Sequence, residues 1–267
     1  MSDFLKQMAT LSAERAAGAA TVRAGDLDKP IVPLQLDRFS IIAEIKDRSP
    51  AAGELAKADH MRVDQAQHYA AGGAAAISVL TEPSRFSGDL SHLEEVVAAV
   101  PGTPVMRKDF LVDTVQILEA RAAAASGVLL IVTMLSDKKL RDMLDCAREH
   151  GLFVLLESFD EEDLSRTSAL MSADDVAQVE RGQLLFGVNT RNLRTLAVDP
   201  DRLQRLASSL PNGRCVAESG LQSPEDAARV AGWGYSVALV GTALMQSDDP
   251  AALVADMRGA GAEALAA

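Results

Sequence analysis

Eight short apolar runs, each followed by a stretch of helical length, constrain the fold of this chain more than any other feature. They are Phe39–Ile45, Ala75–Leu80, Val105–Lys108, Val128–Met134, Phe153–Glu157, Leu184–Asn189, Cys215–Glu218 and Val237–Val240. Within each, apolar residues stand at consecutive positions, the pattern of strands buried on both faces of a parallel sheet. The stretches between them, such as Thr114–Ser126, Lys138–His150 and Pro224–Gly232, carry apolar residues at helical spacing. Ser223-Pro224-Glu225-Asp226 combines a capping hydroxyl, Pro at the first helical position and acids in the first turn. Asp137 and Ser91 read as further caps, and Gly151 and Gly232 as left-handed residues just past helix ends. Eight such units without a long interruption predict a closed (β/α)8 TIM barrel rather than an open doubly wound sheet.

The 267 residues match the ~250 that one such barrel needs, so the whole chain is expected to be a single barrel domain. About forty residues precede the first run. Residues 3–18 read as a helix, so residues 1–38 are expected to form an extra N-terminal helical extension over one end of the barrel. Ser165–Arg181, rich in polar residues and Ala, either continues the fifth helix or makes a small surface excursion.

Apolar residues make up 48% of the chain and aromatics only 4%, so the core must be built from Ala, Val, Leu and Ile. The formal net charge is −12, with acids spread along the chain. Nucleic acid and anionic membrane are therefore poor partners, and any phosphate site must be made locally from a few cations and backbone N–H groups. Cys146 and Cys215 match no metal or redox spacing and read as buried thiols in a reducing compartment. His60, His68, His92 and His150 lack ligand-like spacing, so no metal is expected. The start, Met1-Ser2-Asp3-Phe4-Leu5-Lys6, is unlike a signal peptide, and no apolar stretch is long enough to cross a bilayer. A cytoplasmic monomer is expected.

Polar residues recur at the C-terminal ends of the apolar runs, where barrels build active sites. Glu44 and Lys46 close the first, Lys108 the third and Glu157 the fifth. Asn189 and Arg191 follow the sixth, Glu218 and Ser219 the seventh, and Gly241-Thr242 the eighth. One charge at a strand end is an ordinary solvated residue; five strands ending this way are poorly explained so. Glu44 and Lys46, two apart on an extended strand, face the same side and form either a structural ion pair or part of a site. Lys108, a cation in an apolar setting, suits a general acid or a Schiff base, and spacing does not separate the two. Ser219-Gly220 and Gly241-Thr242 on adjacent strands suit a phosphate cradle, which Ser49 after the first strand could close. Glu161-Glu162-Asp163 reads as the acidic first turn of a helix.

Taken together these segments resemble the indole-3-glycerol phosphate synthase family, from about the first strand to the last helix. Ile42-Ala43-Glu44-Ile45-Lys46-Asp47-Arg48-Ser49-Pro50 resembles its opening signature, with Gly53 at the expected offset. Phe86-Ser87-Gly88 resembles its Phe-x-Gly. Arg107-Lys108-Asp109-Phe110, followed by Asp113, Gln116 and Glu119-Ala120-Arg121, is similar to its most recognisable block. Gly187-Val188-Asn189-Thr190-Arg191-Asn192-Leu193 and Ala217-Glu218-Ser219-Gly220 complete the set. Glu157-Ser158-Phe159 departs from the family's usual Glu-Val-His.

The resemblance implies that 1-(2-carboxyphenylamino)-1-deoxyribulose 5-phosphate is closed to an indole ring with loss of carbon dioxide and water and no cofactor, in tryptophan biosynthesis. It implies Lys108 as the acid that protonates the substrate carbonyl, with Glu157 and Glu44 in proton transfer and charge stabilisation. Lys46 would either bind the substrate carboxylate or act as acid in dehydration. Asn189 and Arg191 would position the substrate, Glu218 and Ser219 complete the polar wall, and Ser49, Gly220, Gly241 and Thr242 receive the phosphate. Phe86, Phe110, Leu129, Ile131, Leu193, Leu221 and Leu239 would hold the aromatic ring. Three rival readings use the same fold. A phosphoribosylanthranilate isomerase would need a Cys–Asp pair at strand ends, yet Cys215 begins its run. An aldolase would use Lys108 covalently. A non-catalytic phosphate-binding barrel gives no reason for both Lys108 and Glu157.

Overall fold

The eight apolar runs form eight parallel strands, and each pairs with its neighbours in chain order until the last pairs with the first. They are β1 (Ser40–Ile45), β2 (Ala76–Leu80), β3 (Val105–Lys108), β4 (Gly127–Ile131), β5 (Phe153–Ser158), β6 (Leu184–Asn189), β7 (Arg214–Glu218) and β8 (Val237–Val240). The computed structural model describes residues 2–49, 53–54, 61–191 and 198–266. Among them, a helix or helix pair follows each strand, so the architecture is the expected TIM barrel. Closure leaves no unpaired sheet edge, so the buried backbone of each strand finds partners on both sides.

Side-chain alternation splits the apolar residues into two cores. Ile42, Met106, Leu129, Phe153, Leu155, Leu185, Val216 and Val237 point inward and fill the barrel. Ile41, Ile45, Ile77, Val128, Val154, Val188, Ala217 and Val240 point outward, against the surrounding helices. The inward series carries the chemistry. Continuing its parity toward the C-terminal ends gives Glu44, Lys108, Glu157, Asn189 and Glu218, so a strict period of two delivers all five side chains to one mouth.

The N-terminal helix α1 (Asp3–Ala17), with Ser2 as its cap, lies across that mouth. Leu5 and Met8 join the interior core, and Gln116 donates to Ser12 Oγ at 2.9 Å. The chain then descends the outside of the barrel, where Arg121 donates to the Lys29 carbonyl. It crosses the opposite end, where Leu34 is buried and Gln183 donates to its carbonyl. The extension thus touches both ends of the barrel, whereas the sequence suggested only one.

Several boundaries differ from those predicted. The fourth strand ends at Ile131, because Val132–Met134 turn into a 3-10 segment. The helix after β3 stops at Ala122. Ser136 rather than Asp137 caps the helix Asp137–Glu149, its hydroxyl accepting from the Lys139 N–H. Asp89 rather than Ser91 caps Leu90–Ala99; in both cases the capping oxygen sits one or two residues earlier than the apolar spacing suggested. Gly151 is left-handed as expected, but Gly232 is the last helical residue and the left-handed position falls on Gly234. Ser165–Arg181 resolves into the end of one helix, Glu161–Leu170, and a second, Ala173–Glu180, started by a Ser172–Asp175 capping box. Cys215 is buried, but Cys146 is only partly so. Among the described residues no helix is long and apolar enough to cross a membrane.

Candidate active site

The inward polar residues stand at or next to the ends of their strands and together form the floor of a cavity of about 320 Å3 at the C-terminal mouth. Its floor is charged. Glu44 from β1, Lys108 from β3, Glu157 from β5, Asn189 from β6 and Glu218 from β7 all line it, with Lys46 and Arg191 just past their strands. One wall is apolar, made by Phe86, Phe110, Leu129, Ile131, Leu221 and Leu239. The other holds the turns Ser219-Gly220 and Gly241-Thr242 from the adjacent strands β7 and β8. Ser219 and Gly220 are both left-handed, a sharp turn that Thr190 Oγ1 secures by donating to the carbonyls of Glu218 and Ser219. Leu193 lies outside the described residues, and of Ser49 only the backbone, in the ribbon Arg48–Ser49, is described.

The charged floor is an ion-pair network of largely buried side chains. Lys46 donates to Glu44 Oε2. Lys108 Nζ lies 3.9 Å from Glu44 Oε1 and 3.6 Å from Glu157 Oε2. Burial alone would discharge Lys108, but Glu157, Glu44 and Glu218 outweigh it and push the ammonium pKa up. Burial likewise opposes the charge of Glu44, yet Lys46 and Lys108 hold its carboxyl below the usual range. Glu218 behaves differently: burial, and then the neighbouring Glu157, push it well above the carboxylate range. The expected ion pair of Glu44 and Lys46 is therefore present and is also part of the site.

The block Arg107–Phe110 divides its labour by parity. Lys108 faces the cavity, whereas Arg107 is turned outward and is itself buried, donating to Thr81 Oγ1 and to the Gln116 carbonyl. Asp109 accepts from Thr81, Arg107, the Phe110 N–H and Arg15 of α1. Gln116 accepts from the N–H groups of Val112 and Asp113 and so closes a capping box with Asp113. Half of this motif is scaffold that fixes the strand end carrying Lys108.

Residues 32–257 match the family profile of indole-3-glycerol phosphate synthase. The chain belongs to this family. Its ring-closing, decarboxylating activity makes the protein a carboxy-lyase of tryptophan biosynthesis. The indole-3-glycerol phosphate synthase of Nocardioides sp. is 47% identical over 252 residues, covering 92% of this chain and 92% of that protein. The one from Mycobacterium leprae is 40% identical over 262 residues, covering 97% and 91%. Among solved structures, 3-hexulose-6-phosphate synthase from Salmonella typhimurium aligns with a TM-score of 0.60 at 16% identity, covering 85% of this chain and 99% of that one. At that identity the likeness speaks for the barrel alone.

Sequence reasoning missed several lining residues. Phe4 of α1 lines the cavity edge-on to Phe110, with ring centroids 5.8 Å apart, and Phe86 meets Phe110 at 6.2 Å with its ring tilted. Leu80, Val198, Gln222 and Gln246 also line it. The parity rule would have found Leu80, the last inward residue of β2. Nothing local marks Phe4, whose place depends on how α1 crosses the mouth.

Proposed function

We propose that this cavity binds 1-(2-carboxyphenylamino)-1-deoxyribulose 5-phosphate and converts it to indole-3-glycerol phosphate, with the aryl ring on the apolar wall and the phosphate at the two turns. The reading rests above all on one observation, the Lys108 ammonium held between Glu157 and Glu44 beneath an aromatic wall. The substrate has the matching polarity: a flat apolar ring, a carbonyl in the middle and a dianion at the far end. Ser49, Gly220, Gly241 and Thr242 receive the phosphate, while Phe86, Phe110, Leu129, Ile131, Leu193, Leu221 and Leu239 hold the ring.

As the aryl carbon attacks the carbonyl carbon, charge gathers on the carbonyl oxygen. Lys108, kept protonated by its carboxylates, donates a proton there; an alkoxide is basic enough to take it. Positive charge spreads over the ring and its nitrogen, and Glu157 and Glu44 stabilise it in a water-poor site. Loss of carbon dioxide restores aromaticity, and loss of the hydroxyl and a neighbouring C–H proton completes the indole. Lys46, anchored to Glu44, holds the substrate carboxylate until it leaves, and Asn189, Arg191, Glu218 and Ser219 orient the chain between ring and phosphate.

The protein works as a cytoplasmic monomer, one barrel domain with residues 1–38 as its extension. In support of the monomer, only Val176 and Val198 are exposed large hydrophobics among the described residues. The deciding experiment follows indole fluorescence after adding the ribulose phosphate substrate to purified protein. Turnover without borohydride-trappable adduct is the expected result. A trapped Lys108 adduct would favour an aldolase, and binding without turnover would favour a non-catalytic barrel.

A further inference from the structure

Gly187 occupies an inward position of β6, directly beside Glu157 of β5 in the strand register. Two steps further, Asn189 pairs with Glu218 of β7. A side chain at Gly187 would therefore stand between the two glutamates. A Cβ built there would lie 2.1 Å from Glu218 Oε1 and 3.2 Å from its Cδ, so the Glu218 carboxyl occupies the space that any other residue would fill. It reaches back over the Gly187 backbone toward Glu157.

That carboxyl is unusually placed. Its residue is wholly buried, and among the described residues neither oxygen of Glu218 meets a hydrogen-bond donor. No described cation lies within ion-pair distance of it, whereas Glu44 has both Lys46 and Lys108. Glu157 has Lys108 at 3.6 Å, but its Oε2 also lacks a hydrogen bond. The groups facing the pair are Glu44 and Lys46 from β1, Lys108 from β3 and Asn189 and Arg191 from β6; β4 and β8 present Leu129, Ile131 and Leu239. A lone buried carboxylate without donors is costly, and two adjoining carboxylates do not both ionise readily.

We propose that Glu157 and Glu218 hold one proton between them at neutral pH, and that Gly187 is the positioning residue that lets the two carboxyls meet. Burial and Glu157 act on Glu218 in the direction this requires. The assignment rests on the reading of the cavity as the ring-forming site and gives the pair a task there. In hydroxyl loss the proton passes to the departing oxygen, the C–O bond breaks and water leaves. The C–H proton released from the adjacent ring carbon as the double bond forms returns to the pair, so the step is redox-neutral and the pair ends as it began. Lys108, held as a strongly charged ammonium, is left free to serve the carbonyl.

Infrared difference spectroscopy on the protein without substrate tests this apart from catalysis. The wild type is expected to show a protonated-carboxyl stretch at neutral pH that Glu218→Gln removes. Absence of such a band would overturn the shared proton, even if indole formation proceeds normally. Gly187→Ala, confirmed folded by circular dichroism, is expected to shift or abolish the band and to move the pH profile of kcat. A folded Gly187→Ala protein with an unchanged band would remove Gly187 from the assignment. If that variant fails to fold, a double variant, Gly187→Ala with Glu218→Ala, relieves the overlap. Recovery of the fold supports the positioning role, and failure to recover it counts against it.

Discussion

The Glu44 carboxylate lies against the Cα of Gly241, so the first and last strands of the barrel meet at the heart of the charged floor. A Cβ at position 241 would come within 2.3 Å of Glu44 Oε2 and 2.8 Å of Lys46 Nζ. Gly241→Ala should therefore displace the ion pair rather than merely fill space. Misplacing catalytic groups by ~1 Å costs on the order of 10²-fold in rate, and overpacking costs about 1–3 kcal/mol. Turnover is expected to fall by that order while the protein remains folded, which steady-state fluorescence and a thermal midpoint would show together. Wild-type turnover would mean that the pair tolerates displacement and that its geometry is not critical.

Lys108 and Glu157 should respond differently to removal. Lys108→Ala takes away the proton donor and is expected to lower kcat by ~10²–10⁴-fold, with a smaller change in KM. Glu157→Gln keeps the shape and removes the charge, so the fold should survive while turnover drops strongly. A folded Glu157→Gln enzyme with full activity would leave Glu44 and Glu218 as the carboxylates that matter.

Arg15 fastens α1 to the catalytic face through Asp109 at 2.6 Å, with Glu82 3.7 Å away. Both carboxylates are buried, and Arg15 is partly exposed. Asp109 keeps Thr81, Arg107 and a backbone N–H as donors when Arg15 is lost. The cost of Arg15→Ala should thus be about 1–2 kcal/mol, below the 3–5 of a fully buried pair. Urea titration would measure it, and a rise in KM is expected because α1 carries Phe4. An unchanged midpoint would mean that packing of Leu5 and Met8 alone holds the helix.

Much of this arrangement is legible in the amino-acid sequence. The barrel could be read because each strand is buried on both faces and so appears as an unbroken apolar run. The polar floor could be read because Glu44, Lys108, Glu157, Asn189 and Glu218 interrupt those runs at the same relative point. Parity also separates Lys108, facing in, from Arg107, facing out. The role of Gly187 needed the register of β5, β6 and β7 together, which one chain read linearly does not contain. The starts of two helices were shifted by one or two residues, because Ser136 and Asp89 compete with equally good capping neighbours. The fourth strand and the helix after β3 end three and four residues earlier than their apolar spacing suggested.

Asp163 gives the protein a pH-dependent term outside the active site. It sits in the first turn of the helix Glu161–Leu170, which Asp160 caps, and accepts the Phe159 N–H at 3.0 Å. Burial, with added repulsion from Asp160, raises its pKa from 3.8 to about 6. A raised carboxyl pKa means that the folded state holds the proton longer than the unfolded one. Its contribution to stability is full below the unfolded value and fades as pH climbs through about 6. Asp163→Asn keeps an acceptor oxygen for Phe159 and removes the ionisation. It should gain on the order of 1–2 kcal/mol over wild type above that window and little below it. Thermal midpoints across the acid range would show the two proteins diverging with rising pH; parallel curves would contradict the shift.

Phe4 provides the sharpest test of whether α1 belongs to the site or only to the scaffold. Its ring stands edge-on to Phe110 at 75° and 5.8 Å, and Phe110 in turn leans on Phe86. Three rings from three separate segments therefore make one aromatic wall. An edge-to-face contact is worth about 0.5–1.5 kcal/mol beyond simple burial, or roughly 2- to 12-fold in an equilibrium constant at 1.4 kcal/mol per decade. Phe4 brings an apolar ring and no charge to the cavity, so Phe4→Ala should raise KM by roughly that factor and leave kcat nearly unchanged. Phe4→Leu fills much of the volume without a ring face and should fall between the two. If α1 were only scaffold, Phe4→Ala would lower the thermal midpoint and leave KM alone. Measuring KM, kcat and the midpoint on the same three proteins separates these outcomes.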